Sequence, residues 1–144
     1  MIVALENISD PGNLGTIIRN CDWFGVNNIL LSKECAEIYN QKVIRASMGS
    51  LFHLSIIEEN DLINSLKDLK TKNYDIVTAD LDGENLYKFK RGKDIAIVFC
   101  NEANGPSKEL LKISNRKITI PQKGKAESLN VASASAVILS ELTR

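Results

Sequence analysis

The fold of this chain turns on ITIPQKGKAESLNVASASAVILSEL, residues 118–142. Its first three residues are β-branched, which favours a strand. Pro121 ends that strand, because proline has no N–H to give to a ladder. A loop follows in which Gly124 stands between Lys123 and Lys125. A helix is then expected over residues 128–142, with Ser128 or Asn130 at its mouth as a cap. That helix is lean: its first turns carry mostly Ala, Ser and Val, so other backbone can press close to it. A proline-stopped strand, a bare loop and a small-residue helix let main-chain groups, rather than long side chains, meet a ligand.

Upstream, the same alternation recurs. IVAL (2–5) is an apolar run suited to a buried strand, and DPGN (10–13) is a turn. Asn13 is placed to cap a helix that runs to Phe24 and stops at Gly25. NNILLS (27–32), HLSIIE (53–58), YDIVTAD (74–80) and DIAIVFC (94–100) read as further strands, and residues 116–120 as the last. Helical spacing falls at 41–48, 61–72 and 107–113. DIAIVFC is the most apolar strand and is expected at the centre. Strands alternating with helices predict an α/β fold, a mostly parallel, doubly wound sheet covered on both faces. The 144 residues fit one domain, 1–144, with no repeat or linker. The first strand opens almost at the first residue, the form expected of the catalytic part of a longer protein.

Composition narrows the function. No apolar run is long enough to span a membrane. MIVALENISDPG lacks the basic start and long apolar core of a signal peptide. Cys21, Cys35 and Cys100 are odd in number and lack metal-ligand spacing, which points to reduced thiols in a cytoplasmic protein with no metal site. Net charge is zero, yet residues 1–87 carry 7 Lys/Arg against 13 Asp/Glu, and residues 88–125 carry 10 against 3. The second stretch is either a solvated basic face or a patch that meets phosphates. No GxGxxG follows the first strand and no GxxxxGK[ST] occurs, so ordinary dinucleotide and P-loop sites lose their main support.

Three Gly-bearing polar loops fall at the expected carboxyl ends of strands: DPGNLG, CNEANGPS and PQKGKAESLN. Extended, they read DPGNLGTIIRNCDWFG (10–25), IVFCNEANG (97–105) and IPQKGKAESLNVASASAVILSE (120–141). In this order they resemble the three motifs of the SpoU (TrmH) branch of the SPOUT RNA methyltransferases. RASMGSLFHL (45–54) also resembles a segment that many members carry between the first two motifs. The resemblance covers nearly the whole chain. One position departs from it: Cys100 stands where the family usually has a Gly that lets backbone approach the cofactor.

The resemblance implies a deep C-terminal trefoil knot, an exception to the rule that chains do not thread. It implies S-adenosylmethionine bound bent in that knot, and methyl transfer to a ribose 2′-hydroxyl of rRNA or tRNA. RASMGSLF is closer to members that act on ribosomal RNA. It further implies a homodimer packed through the last helix, with active sites completed across the interface, and no metal. Catalytic places then fall to Arg19 at the target ribose, to Glu102 ordering its loop, and to Asn13, Ser128 and Asn130. Cofactor-binding places fall to Thr78, Ala79, Cys100, Asn101, Ile120, Gly124 and Leu129.

Plainer roles stand beside these. Asn13, Ser128 and Asn130 could be helix caps, Arg19 a surface ion pair, Glu102 a surface loop residue, and Ile120 and Leu129 core. His53, the only histidine, reads as structural. A nucleotide-binding oxidoreductase or hydrolase would need a phosphate loop or an activated nucleophile, and neither is found. A catalytically inactive RNA-binding module on the same fold is favoured by Cys100 alone.

Overall fold

The computed structural model describes residues 1–144. Six strands are present: β1 (Ile2–Glu6), β2 (Asn28–Ser32), β3 (Ser55–Glu59), β4 (Asp75–Asn85), β5 (Ile95–Cys100) and β6 (Arg116–Thr119). Five α-helices join them: α1 (Pro11–Trp23), α2 (Gln41–Ser47), α3 (Leu62–Thr71), α4 (Lys108–Ile113) and α5 (Val131–Leu142). The strands form one sheet in the order β3-β2-β1-β5-β4-β6, and every neighbouring pair is parallel. β1 and β5 lie at its centre, and all of β5 is buried. No helix is long and apolar enough to cross a membrane.

Strand alternation builds two cores. Val3 and Leu5 of β1 and Ile95, Ile97 and Phe99 of β5 join Leu14, Ile17 and Ile18 of α1 and Ile138 and Leu139 of α5. The residues between them, Ala4, Ala96 and Val98, join Leu62 and Leu66 of α3 and Leu110 of α4. The sheet is therefore covered on both faces, as its near-continuous apolar strands require.

Several boundaries differ from expectation, each for a local reason. α1 is capped by Asp10 rather than Asn13: Pro11 takes the first helical position, where no N–H is needed, and Asp10 Oδ1 accepts the Asn13 N–H at 2.8 Å. α5 begins at Val131, not at Ser128, because Asn130 Oδ1 takes the Ala132 and Ser133 N–H groups at 3.0 and 3.3 Å. β3 starts at Ser55, two residues after His53, which closes a 3-10 turn over Ser50–Phe52. β4 runs beyond Asp80 to Asn85 through a bulge, with both Ala79 and Glu84 set against Ile118. Gly83 lies in that bulge, so close to β6 that a Cβ on it would stand 2.3 Å from the Ile118 carbonyl carbon.

The last helix docks on the first. Asn20 Nδ2 of α1 donates to Ala132 O and to Ser135 Oγ of α5, both at 2.9 Å. Ala132, Leu139 and Leu142 of this helix are buried within the chain itself. Leu129, Ala136 and Val137 stay wholly or partly open.

Candidate active site

The carboxyl ends of β4, β5 and β6 enclose a cavity of about 390 Å³ against the first half of α5. Residues 79–81 line it from β4, 99–102 from the end of β5, 118–124 from β6 and its loop, and Val131, Ala134 and Ile138 from α5. It sits at the strand ends where open α/β sheets bind ligands.

Polar groups gather at the N-terminus of α5, whose first N–H groups have no partner inside the helix. Glu102 Oε1 accepts the Val131 N–H, and Asn130 accepts the next two. A carboxylate there also faces the positive end of the helix dipole. Asn130 Nδ2 donates to Asn13 Oδ1 at 2.9 Å, so the mouths of α1 and α5 are joined by two asparagines.

The loop that carries Glu102 is held from several sides. Asn101 Nδ2 donates to Asn7 O at 3.2 Å and to Ser9 Oγ at 3.4 Å, while its Oδ1 accepts the Ala103 N–H at 2.8 Å. Gly105 turns with φ +62° and donates its N–H to Asn101 O at 2.9 Å. Glu6, the buried last residue of β1, accepts the Ser107 hydroxyl at 2.6 Å and the Ser107 N–H at 2.9 Å.

The cavity brings together Ala79, Cys100, Asn101, Glu102, Ile120, Gly124, Ser128 and Leu129. Asn13 and Asn130 border a second, more polar hollow of about 460 Å³ with Asp10, Thr16, Asn20 and Ser133. Thr78 lines neither: it is fully buried, and its hydroxyl lies 2.6 Å from Ser114 Oγ. Alternation along β4 gives the cavity Ala79 instead. Arg19 also lies outside both hollows, exposed on α1 and in no ion pair of the chain.

A Cβ on Gly124 would meet no protein atom within 4 Å, and Gly124 itself lines the cavity. Burial, reinforced by the Glu6 carboxylate, raises the Cys100 thiol well above the usual range, which makes it an inert wall. His53 Nδ1 lies 2.9 Å from Asp22 Oδ2 on the far end of α1. Arg116 pairs with Glu84 at 2.8 Å and Lys117 with Asp80 at 3.1 Å; the other Lys and Arg of residues 88–125 are in no ion pair. Lys123 reaches the cavity. No group of three or more His, Cys, Asp or Glu side chains is arranged to hold a metal ion.

Sequence reasoning missed Glu6, and it missed the wall formed by Asp80 and Leu81. A charge closing the apolar run IVAL was the signal for Glu6, and a Gly in the charged stretch DLDGEN was the signal for the bulge.

A cavity at the carboxyl ends of parallel strands, beside a capped helix N-terminus, defines an α/β domain built to hold a small ligand. The chain belongs to the SpoU rRNA methylase family, whose model matches residues 1–140. It is 32% identical over 142 residues to the 23S rRNA (guanosine(2553)-2′-O)-methyltransferase RlmP of Bacillus subtilis, covering 98% of this chain and 57% of that protein. Among solved structures it resembles the SpoU methyltransferase AviRb of Streptomyces viridochromogenes in complex with AdoMet, with a TM-score of 0.91 and 27% identity over 99% of this chain and 56% of the other. It also resembles the AdoMet-bound rRNA methyltransferase of Sinorhizobium meliloti, with a TM-score of 0.90 and 33% identity over 97% of this chain and 54% of the other. The chain thus spans little more than half the length of these relatives.

Proposed function

We propose that this chain is the catalytic domain of an S-adenosylmethionine-dependent RNA methyltransferase that modifies a ribose 2′-hydroxyl, with ribosomal RNA as the substrate class. The observation that carries it is the meeting of the three distant loops at one place, with Glu102 from the second bonded to Val131 after the third, and Asn13 from the first bonded to Asn130. The likeness to RlmP supports the 2′-oxygen and the ribosomal substrate.

The residues present fit the cofactor. The cavity falls within the usual size for ligand pockets, about 300–1,000 Å³. Its wall is mostly apolar, and the open space at Gly124 leaves room for a ligand against backbone. Ala79, Cys100, Ile120, Gly124 and Leu129 would hold it, with Asn101 at the rim. Cys100 is small enough to line the cavity without closing it, so it does not argue for an inactive module.

Bound there, S-adenosylmethionine supplies a methyl carbon on a positively charged sulfur. The chemistry it would supply is transfer of that methyl to the ribose 2′-oxygen, with a neutral thioether and the hydroxyl proton released. The protein has to align donor and acceptor and steady the growing negative charge on oxygen. Asn130 and Asn13 are held by each other and by the mouth of α5, so their orientation is set before RNA arrives. Glu102 fixes the second loop to the same helix. Ser128 is exposed in the loop that lines the cavity, where its hydroxyl would be available to the acceptor. A guanidinium is a donor rather than a base, so Arg19 grips phosphate and 2′-oxygen.

Arg19 stands apart from the cavity of its own chain, which supports a homodimer whose sites are completed across α1 and α5. The knot belongs to the same proposal and rests on membership of the family. The test is Arg19→Ala. Methyl transfer to ribosomal RNA should fall by at least about a hundredfold, the scale of one lost oxyanion donor, while calorimetry finds cofactor affinity unchanged. Arg19→Lys should rescue little, because an ammonium lacks the planar fork. Transfer at the wild-type rate by Arg19→Ala would remove Arg19 from the mechanism.

A further inference from the structure

We propose that Glu6 is a positioning residue of the methyl-transfer site, acting through the loop that carries Glu102. Glu6 lines neither hollow and is only 6% exposed, so it does not touch substrate. Instead it holds both ends of residues 101–107. Its main-chain carbonyl accepts the Asn101 N–H at 3.2 Å, and its carboxylate takes both donors of Ser107, at 2.6 and 2.9 Å. Ser107 Oγ in turn accepts the Leu110 N–H at 3.1 Å and so caps α4. The loop between these anchors carries Glu102 to the mouth of α5.

A buried carboxylate is costly unless its oxygens are bonded. Here no Lys or Arg pairs with it; the buried Cys100 thiol lies beside it, and the two hydrogen bonds that tie it to the loop both come from Ser107. β1 could end in an apolar residue and fill the core as well; what only an acid supplies is two acceptors aimed at Ser107. The physical consequence is a fixed span for the loop, and with it a fixed reach for Glu102. This role rests on the methyltransferase function proposed above, but its structural half is measurable without cofactor or RNA.

Glu6→Gln keeps the size of the side chain and replaces one acceptor with a donor group. Ser107→Ala removes the hydroxyl from the other side and leaves β1 untouched, which covers the case in which Glu6→Gln fails to fold. In either variant, hydrogen exchange of peptides spanning 101–107 should quicken about tenfold or more, while exchange in β1 and β5 stays slow. Methyl transfer should fall at least about tenfold in the folded variants. In a Glu102→Ala background, which removes the acceptor of the Val131 N–H, the further loss from Ser107→Ala or Glu6→Gln should largely vanish, because the loop then has no side chain left to position there. Unchanged loop exchange would overturn the anchoring. Full transfer activity despite a loosened loop, or losses that simply add to that of Glu102→Ala, would overturn the positioning role. A wild-type protein that binds no S-adenosylmethionine would instead overturn the proposed function, while the exchange comparison still decides whether Glu6 anchors the loop.

Discussion

Gly83→Ala asks whether the bulge of β4 is a rigid part of the cavity wall. The added Cβ would stand 2.3 Å from the Ile118 carbonyl carbon and 2.6 Å from its Cα and N. Ordinary contact begins at 3.4 Å, so the bulge or β6 must yield by about 1 Å. Neither side is a flexible side chain; both are backbone, and Glu84 and Asn85 pair with β6 just beyond. Overpacking of this kind costs about 1–3 kcal/mol, and the upper end is expected because strand pairing has to shift. In urea the midpoint should fall by about 1 M or more with little change of slope. Asp80, Leu81 and Ile118 also line the cavity, so the same displacement should weaken cofactor binding. Calorimetry on the folded variant should show S-adenosylmethionine affinity reduced about tenfold or more, since a 1 Å misplacement is enough to spoil a fitted site. A variant with wild-type midpoint and affinity would show that the bulge does not press on β6, and would refute the reasoning.

Gly124→Val should behave in the opposite way: stability stays at the wild-type value, because a Cβ there meets nothing, while cofactor binding is lost on titration. Burial pushes the Cys21 thiol up to about 12 and raises those of Cys35 and Cys100, so alkylation at neutral pH should be slow in the folded protein and fast in urea. Asp10→Ala should cost about 1 kcal/mol by removing the cap of α1, as read from denaturation midpoints. The Asn13 N–H holds the Asp10 carboxyl below its usual range, so its contribution is present above the unfolded pKa and is lost as pH falls through the lower folded value. The gap between wild type and Asp10→Ala should therefore narrow below about pH 4.

The order of strands and helices was legible because each strand here is a short apolar run and each helix has its own spacing. DIAIVFC stood out as central for the same reason: all of it is buried. The two errors at helix starts share one cause. DPGN and ESLN each offer more than one capping side chain, and which one caps is settled by where proline or the neighbouring loop lets the first turn begin. The bulge of β4 was not legible, since its residues are polar and pair only through contact with a strand far along the chain. Among candidate site residues, those carried by the three loops converge, whereas Thr78 was displaced by strand alternation and Arg19 by the face of α1 it occupies. Glu6 escaped notice because its partner, Ser107, lies 101 residues away.

The docking of α5 on α1 makes the order of folding matter. Asn20 meets Ala132 across 112 residues of chain, and Leu14, Ile17 and Ile18 share one core with Ile138 and Leu139. A closure of that span comes late, because loop entropy must be overcome before the contacts repay it. Until the last helix is made, the nascent chain carries α1 with only part of its apolar face covered, by β1, β5 and α2. The helix that covers this face also completes the cavity, so a molecule that has not finished folding has no ligand site to offer.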